Sequence, residues 1–548
     1  MQSPELYTRP DALAKPWRIR ETRDMPNDYD VIIVGAGSAG AVLASRLSED
    51  PSRRVLLLEA GPEYSSAEAP EEMRIANPAA IILAPENLQK FMWGALKARR
   101  TDIQQPMVYW RGRGVGGSSA VNGQIAIRGM LDDFDIWAAQ GCEGWSGSQV
   151  LPYFIKLEDD LDFGAQPYHG RGGPIPVMRA PQADWGGVDK ALRDACLALG
   201  YGWCEDHNAP EGTGVSPYAM NRRNNVRVST NDGYLEPARG RANLRIIGDA
   251  LVDSLQFDRH RAAAIRVRTR EGWHRIEGSE IILSAGAIHS PAILMRSGVG
   301  PAQHLRELGI RVIADLPVGN DLIDHPMIAM GMALKPTAQC SNIRARHTNC
   351  AVRYSSGLGG AGQNDMFLLA MNLLGYSEQT LGYGFIWMTA YQTYSRGALR
   401  LASRSPEIDP DLRFRMLSDE RDLVRMRDGM RRLQEIAQQL PIASISDRIS
   451  FGNPLLITQG VSELPPEGAA LDQWMMANCF DSQHGAGTCR MGPASNPRSV
   501  VDPDCRVIGL EALRVIDCSV MPEIVRANTH LSTVMIAEKM ADRIRGRA

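Results

Sequence analysis

None of the nine cysteines in this 548-residue sequence forms a Cys-x-x-Cys pair; they stand singly from Cys142 to Cys518. Neither a disulfide framework nor a structural zinc site is indicated, and reduced thiols are expected. There is no run of about 18 uncharged apolar residues, the length a membrane-spanning helix needs. Residues 1–28, rich in Pro, Arg, Asp and Glu, hold no apolar stretch that would act as a secretory signal. An excess of one charge is also missing: 60 Lys and Arg stand against 63 Asp and Glu, a net charge of -3. No basic field is present to attract nucleic acid. These absences lead to the expectation of a cytoplasmic protein without a transmembrane segment.

Core-forming material is ample. Hydrophobic residues make up 44% and charged residues 22%, an ordinary globular balance. At about 150 residues per domain the length suits three to four units, or one large α/β unit carrying a second layer.

The β-branched run Asp30–Val34 reads as a buried parallel strand, the apolar side of 41–47 as a helix stopped by Asp50-Pro51, and 54–59 as the next strand. Between the first strand and the helix lies Gly35-Ala36-Gly37-Ser38-Ala39-Gly40, a G-x-G-x-x-G, and Glu59 follows 19 residues after its last glycine. That context predicts a dinucleotide site: glycines permit a tight turn and close backbone approach to a pyrophosphate, the helix N-terminus favours its charge, and the carboxylate accepts from a ribose diol. The motif alone does not separate NAD from FAD. A second Gly-rich stretch, Arg111–Gly123, could lie flat against a planar ligand or be a flexible loop.

Further along, residues 244–285 alternate like an antiparallel meander (244–247, 264–267 and 281–283), followed by a helix starting near Ser290-Pro291 with proline in its first turn. Between 320 and 470 the pattern predicts strands rich in Met and aromatics (366–374 and 383–393). It also predicts an amphipathic helix with Leu423, Met426, Met430, Leu433, Ile436 and Leu440 on one face. The chain returns to a strand at 513–517 and a helix at 531–544, capped by Asn528 or Thr529. His484, in His484-Gly485-Ala486-Gly487-Thr488, and His530 stand beside turns, where one imidazole could accept a proton and a second hold the same oxygen.

Taken together and in order, the Gly35 motif with Glu59, the block Gly112–Gly123, the segment Gly286–Pro301 and the His484 block resemble the signatures of the glucose-methanol-choline (GMC) oxidoreductases. Shorter islands, such as 133–137, 319–326 and 515–522, extend the resemblance over almost the whole chain. It implies an α/β protein with a Rossmann-like FAD-binding domain and a substrate domain built on an antiparallel sheet plus helices. The implied layout is an N-terminal extension 1–28, FAD-binding segments 29–160 and 211–320, substrate segments 161–210 and 321–470, and an active-site part 471–548.

The resemblance further implies that Gly35, Gly37, Ser38, Gly40, Glu59 and Ala60 hold the ADP half of FAD. Arg113, Gly116, Gly117, Ser118, Asn122 and Gly123 then lie near its phosphates and ring, and Val252, Asp517, Thr529 and His530 complete the site. His484 takes the place of the general base and His530 that of a second catalytic residue, making a His/His site. Tyr109 stands where some members carry a flavin-linking histidine, so the FAD is expected to be held non-covalently. His289 and His325 read as buried hydrogen-bonding residues at turns. The expected reaction is oxidation of a primary alcohol, aryl or otherwise apolar, to the aldehyde by hydride transfer to flavin N5. The electron acceptor is O₂ or a quinone; a choline-type dehydrogenase and a non-redox hydroxynitrile-lyase-like member are the alternatives. The aromatics at 383, 385, 387, 391 and 394 and Met366, Met371 and Met388 suit an apolar substrate wall. No metal is expected, and oligomeric state is not legible.

Overall fold

The computed structural model describes residues 29–547, so the N-terminal extension lies outside the described residues. Two large sheets organise the rest. In the first, the strands Leu244–Ile247, Val55–Leu58, Tyr29–Val34, Gly272–Leu283 and Leu513–Val515 lie side by side and parallel, with Ile32, Ile33, Leu56, Leu57, Ile281 and Ile282 fully buried. Runs apolar on consecutive residues belong in such a sheet, whose central strands are buried on both faces. The helix Gly40–Leu47 packs against the C-terminal helix Thr529–Ile544.

Here the meander read from the sequence is corrected. Leu244–Ile247 and the end of Gly272–Leu283 are parallel members of this sheet, and the antiparallel meander consists of Leu251–Asp258, Arg261–Thr269 and the first half of Gly272–Leu283. Alternation alone did not reveal that one long strand changes partners midway.

The second sheet is antiparallel, in the order Ser446–Gly452, Pro326–Leu334, Tyr383–Ala390, Met366–Met371, Cys350–Tyr354 and Gly214–Pro217, with Phe480–Asp481 added beside Pro326–Met327. Gly214–Pro217 falls inside the 211–320 segment yet belongs to this sheet, where it pairs with Cys350–Tyr354. The strand period of two separates its faces. Leu368, Ala370, Ile386 and Met388 turn toward the helices Gly187–Ala198 and Glu420–Ala437. Phe367, Leu369, Met371, Trp387 and Thr389 turn the other way and line a cavity. Glu420–Ala437 comes so close that a Cβ on Gly429 would stand 2.5 Å from the sulfur of Met388. Leu440 is not on this helix: Pro441 interrupts it, and Leu440 opens a separate turn, Leu440–Ile445, 79% exposed.

The cavity lies where the carboxyl ends of the parallel strands meet the odd-numbered face of the antiparallel sheet, and both supply its walls. Among the described residues, no helix is long and apolar enough to cross a membrane.

The helix expected near Ser290 begins at Gly286, which puts Pro291 at its sixth position. Proline there leaves the Ala287 carbonyl without its usual i→i+4 donor. The Thr488 hydroxyl, from the His484 block, donates to that carbonyl at 2.7 Å, so the helical break ties the two motifs together. Thr488→Val is expected to lower stability in urea unfolding by about 1–3 kcal/mol, with Thr488→Ser losing less. Equal midpoints for all three proteins would contradict the tie.

Candidate active site

The glycines of the first motif serve distinct ends. Gly35 has φ +98°, and a Cβ on it would meet the Ser284 carbonyl oxygen at 2.6 Å. Gly40 allows helix to pack on strand, since a Cβ would lie 1.8 Å from the Gly35 oxygen. Gly37 is different: a Cβ would touch only the Cα of Gly117, at 3.8 Å, an ordinary contact. The protein itself does not require glycine at 37. The residue lines the cavity at a helix N-terminus, so its smallness leaves room for what the cavity takes, and a pyrophosphate fits that chemistry.

Ser38, Glu59, Ala60, Gly117, Ser118, Asn122, Gly123, Val252, Asp517, Thr529, His530 and His484 line the same cavity as Gly35 and Gly37. Gly40, Arg113 and Gly116 stand behind it. Gly116 turns the second Gly-rich loop at φ +84° and donates its N–H to Ala36, while Arg113 braces the Ala60 carbonyl at 3.0 Å. The two Gly-rich loops touch, because a Cβ on Gly117 would fall 2.7 Å from the Gly37 Cα.

Glu59 accepts from the N–H groups of Ala36, Gly61 and Gly114, each at 2.9 Å. Burial pushes its carboxyl up and these donors pull it back. Asp517 is held in the same manner, accepting from Gly286 N–H at 2.8 Å, the Ser290 hydroxyl at 2.6 Å and Ser519 N–H at 2.8 Å. The side-chain oxygen of Asn122 is taken up by Gln124 N–H and Arg227.

At the other end of the cavity the His/His expectation needs correcting. Nδ1 of His530 pairs with Ser38 Oγ at 3.1 Å, on the dinucleotide side. The residue that reaches His484 is Asn528, with Nδ2 at 3.0 Å from His484 Nε2. The two side chains leave the backbone differently, because Asn528 is an extended residue before the helix and His530 lies within its first turn. Asn528 is the N-cap of Thr529–Ile544, as the sequence suggested, but its side chain makes no capping bond. Its oxygen accepts instead from the hydroxyls of Tyr218 at 2.9 Å and Tyr391 at 3.3 Å.

His325, read from sequence as a buried hydrogen-bonding residue, is buried and hydrogen-bonded, and its partner is the imidazole of His484, Nδ1 to Nδ1 at 2.9 Å. Its own Nε2 lies 3.1 Å from the Val525 carbonyl, an acceptor only. The proton of His325 therefore sits on Nε2, its Nδ1 is a bare acceptor, and His484 must donate through Nδ1. His484 is left with an unprotonated Nε2, facing an amide donor on the cavity wall. Burial, with the neighbouring His325 and Arg111, holds the His484 imidazole well below its usual range, and burial takes His325 down to about 3. Both rings are neutral.

Behind this pair Asp324 accepts the backbone N–H of His484, and burial beside Asp481 pushes its carboxyl up to about 7. Of the aromatics and methionines expected to wall the cavity, Trp387, Tyr391 and Met371 do so, and Phe367 stacks on Tyr391 with centroids 4.5 Å apart. Met366 and Met388 lie on the opposite face against Gly429, Tyr383 is 37% exposed, and Tyr394 carries the Arg421 guanidinium over its ring. Sequence reasoning missed the site roles of Asn528, His325, Asp324 and Tyr218. Only Asn528 carried a local signal, and that signal was for capping.

The chain matches known proteins along most of its length. Residues 29–327 match the N-terminal model of the GMC oxidoreductases and residues 393–537 the C-terminal one. The chain is 36% identical to the 5-(hydroxymethyl)furfural oxidase of Methylovorus sp. (strain MP688), covering 94% of this chain and 98% of that protein. It is likewise 36% identical to oxygen-dependent choline dehydrogenase 1 of Chromohalobacter salexigens, covering 95% of each. Among solved structures, pyridoxine 4-oxidase, described as from Mesorbium loti, superposes with a TM-score of 0.83 at 28% identity, covering 95% of this chain and 100% of that one.

Because a methyl group at 37 meets only an ordinary contact within the protein and would take space from the cavity that the residue lines, Gly37→Ala is expected to fold with an unchanged thermal midpoint when cofactor-free. Its affinity for the dinucleotide should fall at least about tenfold, roughly 1.4 kcal/mol, as measured by flavin titration. Undiminished binding would contradict the assignment of Gly37.

Proposed function

The chain belongs to the GMC oxidoreductases, an FAD-dependent family whose members act on alcohols, and on that footing we propose that it oxidises a primary alcohol with an aromatic or otherwise apolar body to the aldehyde. The carrying observation is the bare Nε2 of His484, fixed by His325 and set beside the Asn528 amide on the wall of the cavity that holds the dinucleotide motif. The Gly35–Gly40 turn, Glu59, the Gly117–Gly123 loop and the mouth of the C-terminal helix would hold FAD, which would supply a hydride acceptor.

The chain's own residues do the rest. His484 Nε2 accepts the hydroxyl proton, and the Asn528 Nδ2–H holds the oxygen as it gains charge. His325 Nδ1 keeps its hydrogen bond to His484 throughout, so the imidazolium that forms is oriented and stabilised. Phe367, Leu369, Trp387 and Tyr391 exclude water and receive the apolar body. The carboxylates on the cavity wall are already engaged: Asp481 with Arg100, Glu59 and Asp517 with backbone N–H groups. No carboxylate of the wall is thus left to pair with a cationic substrate, which supports a neutral one. The 5-(hydroxymethyl)furfural in the name of one relative is a neutral molecule carrying a primary hydroxyl, and the oxidase and oxygen-dependent relatives support O₂ as acceptor. Non-covalent attachment is part of the proposal, because Tyr109 is buried with its hydroxyl hydrogen-bonded to Asp324.

A panel of aryl, furanyl and aliphatic alcohols, with choline, mixed anaerobically with the enzyme and followed by admission of air, tests reaction, substrate and acceptor in one experiment. Bleaching by aromatic primary alcohols and recovery in air are expected; no bleaching by any alcohol would favour a lyase. His484→Ala should slow flavin reduction at least about a hundredfold with FAD retained. Asn528→Ala should cost about a hundredfold as well, whereas His530→Ala should affect flavin affinity more than rate. The reverse order for 528 and 530 would restore the His/His site.

The depressed pKa of His484 also has a sign. The base form persists as pH falls through 6.5, so flavin reduction should show no acid limb there. A limb with an apparent pKa near 6.5 would contradict the buried neutral pair.

A further inference from the structure

Behind the imidazole pair lies a set of buried groups that neither touches the cofactor motif nor enters the chemistry above. Asp324 Oδ1 accepts from His325 N–H at 2.7 Å and His484 N–H at 3.0 Å, while Oδ2 accepts from His484 N–H at 2.9 Å and from the Tyr109 hydroxyl at 2.7 Å. The Tyr109 oxygen in turn accepts from Gly485 N–H at 2.9 Å and from the Arg111 guanidinium. A phenol has one donor and two acceptor positions, and all three are in use. Tyr109, Asp324 and His325 are at most 1% exposed.

We infer that Tyr109 and Asp324 are positioning residues that set the separation and orientation of the His325–His484 imidazole pair by clamping both backbones to one carboxylate. The inference rests on the reading of His484 as the base. Three observations carry it. The carboxylate bonds the N–H of the two residues whose rings meet, so it fixes where both side chains depart from the chain. The phenol bonds the next N–H along, at Gly485, so consecutive peptides of the catalytic turn are held from one side. The turn needs holding, because Gln483, immediately before His484, lies at φ +63°, a left-handed conformation unfavourable for any residue but glycine.

The charges around the clamp are accounted for. Asp481 lies close to Asp324 and pairs with Arg100, its other oxygen accepting from Gln483 N–H at 3.0 Å, and Arg111 faces the pair from the second Gly-rich loop. Two carboxylates are thus balanced by two guanidinium groups. The Tyr109 ring packs on Phe414 at 5.2 Å, so removing only its hydroxyl preserves the packing.

Displacing a catalytic group by about 1 Å can cost on the order of a hundredfold in rate. For Tyr109→Phe holoenzyme, anaerobic stopped-flow should show the limiting rate of flavin reduction, per bound flavin, falling about ten- to a hundredfold, with substrate dissociation constant changed less than about threefold. In the cofactor-free variant, hydrogen exchange of the peptide carrying His484 and Gly485 should quicken while exchange of the parallel strands stays as in the parent. A limiting rate within twofold of the parent, or unchanged exchange at that peptide, would overturn the clamp. Should Tyr109→Phe not retain flavin, Asp324→Asn against Asp324→Ala reads the same quantity: asparagine keeps one acceptor oxygen and should retain more of the limiting rate, and equal loss would count against the proposal. A slow His484→Ala with a normal Tyr109→Phe would sink only the clamp, whereas a normal His484→Ala would sink the reading beneath it.

Discussion

One carbonyl oxygen sets the protonation pattern on which the site depends. Val525 offers His325 an acceptor and nothing else, so the His325 proton is fixed on Nε2, the His484 proton on Nδ1, and the lone pair of His484 on Nε2. Burial reinforces the arrangement, because a charged imidazole in this environment would lose its hydration. A base that is neutral and correctly oriented before substrate arrives need not reorganise at the moment of reaction. Asn528 completes the set: its oxygen is occupied by two tyrosine hydroxyls, so its nitrogen is the end that must face His484.

The fold delivers these groups from places far apart in sequence. His325 ends the approach to an antiparallel strand, His484 sits in a turn after a short strand of the same sheet, and Asn528 opens the helix that packs on the dinucleotide-binding helix. The cavity between them has a parallel sheet at one side, whose strand ends present backbone N–H groups and glycines. On the other side is an antiparallel sheet, whose odd-numbered side chains present apolar surface. The division suits a dinucleotide at one end and the proposed apolar alcohol at the other.

What the sequence made legible and what it hid differ for physical reasons. The first strand, helix and strand were legible because a β-branched run, a glycine motif and a proline stop are local signals, and the structure places those elements within a residue or two of expectation. The glycine motif and His484 shared the same advantage. The partner of His484 was hidden because it depends on which way a helix mouth points: Asn528 and His530 are two residues apart, and only three-dimensional placement decides which of them faces the base. His325 was hidden for another reason, since a buried histidine bonded to a carbonyl looks the same in sequence whether its second nitrogen meets a hydroxyl or another imidazole. The parallel members among residues 244–285 were missed because a strand that is antiparallel in its first half and parallel in its second leaves no change of period at the switch.

The central claim is a statement about protons, and nitrogen NMR of the flavin-loaded protein with ¹⁵N-labelled histidine tests it directly. At neutral pH the account requires a His484 ring that carries hydrogen on Nδ1 and none on Nε2, coupled to a His325 ring with the opposite pattern. A His484 resonance showing hydrogen on Nε2, or a ring protonated on both nitrogens, would contradict it.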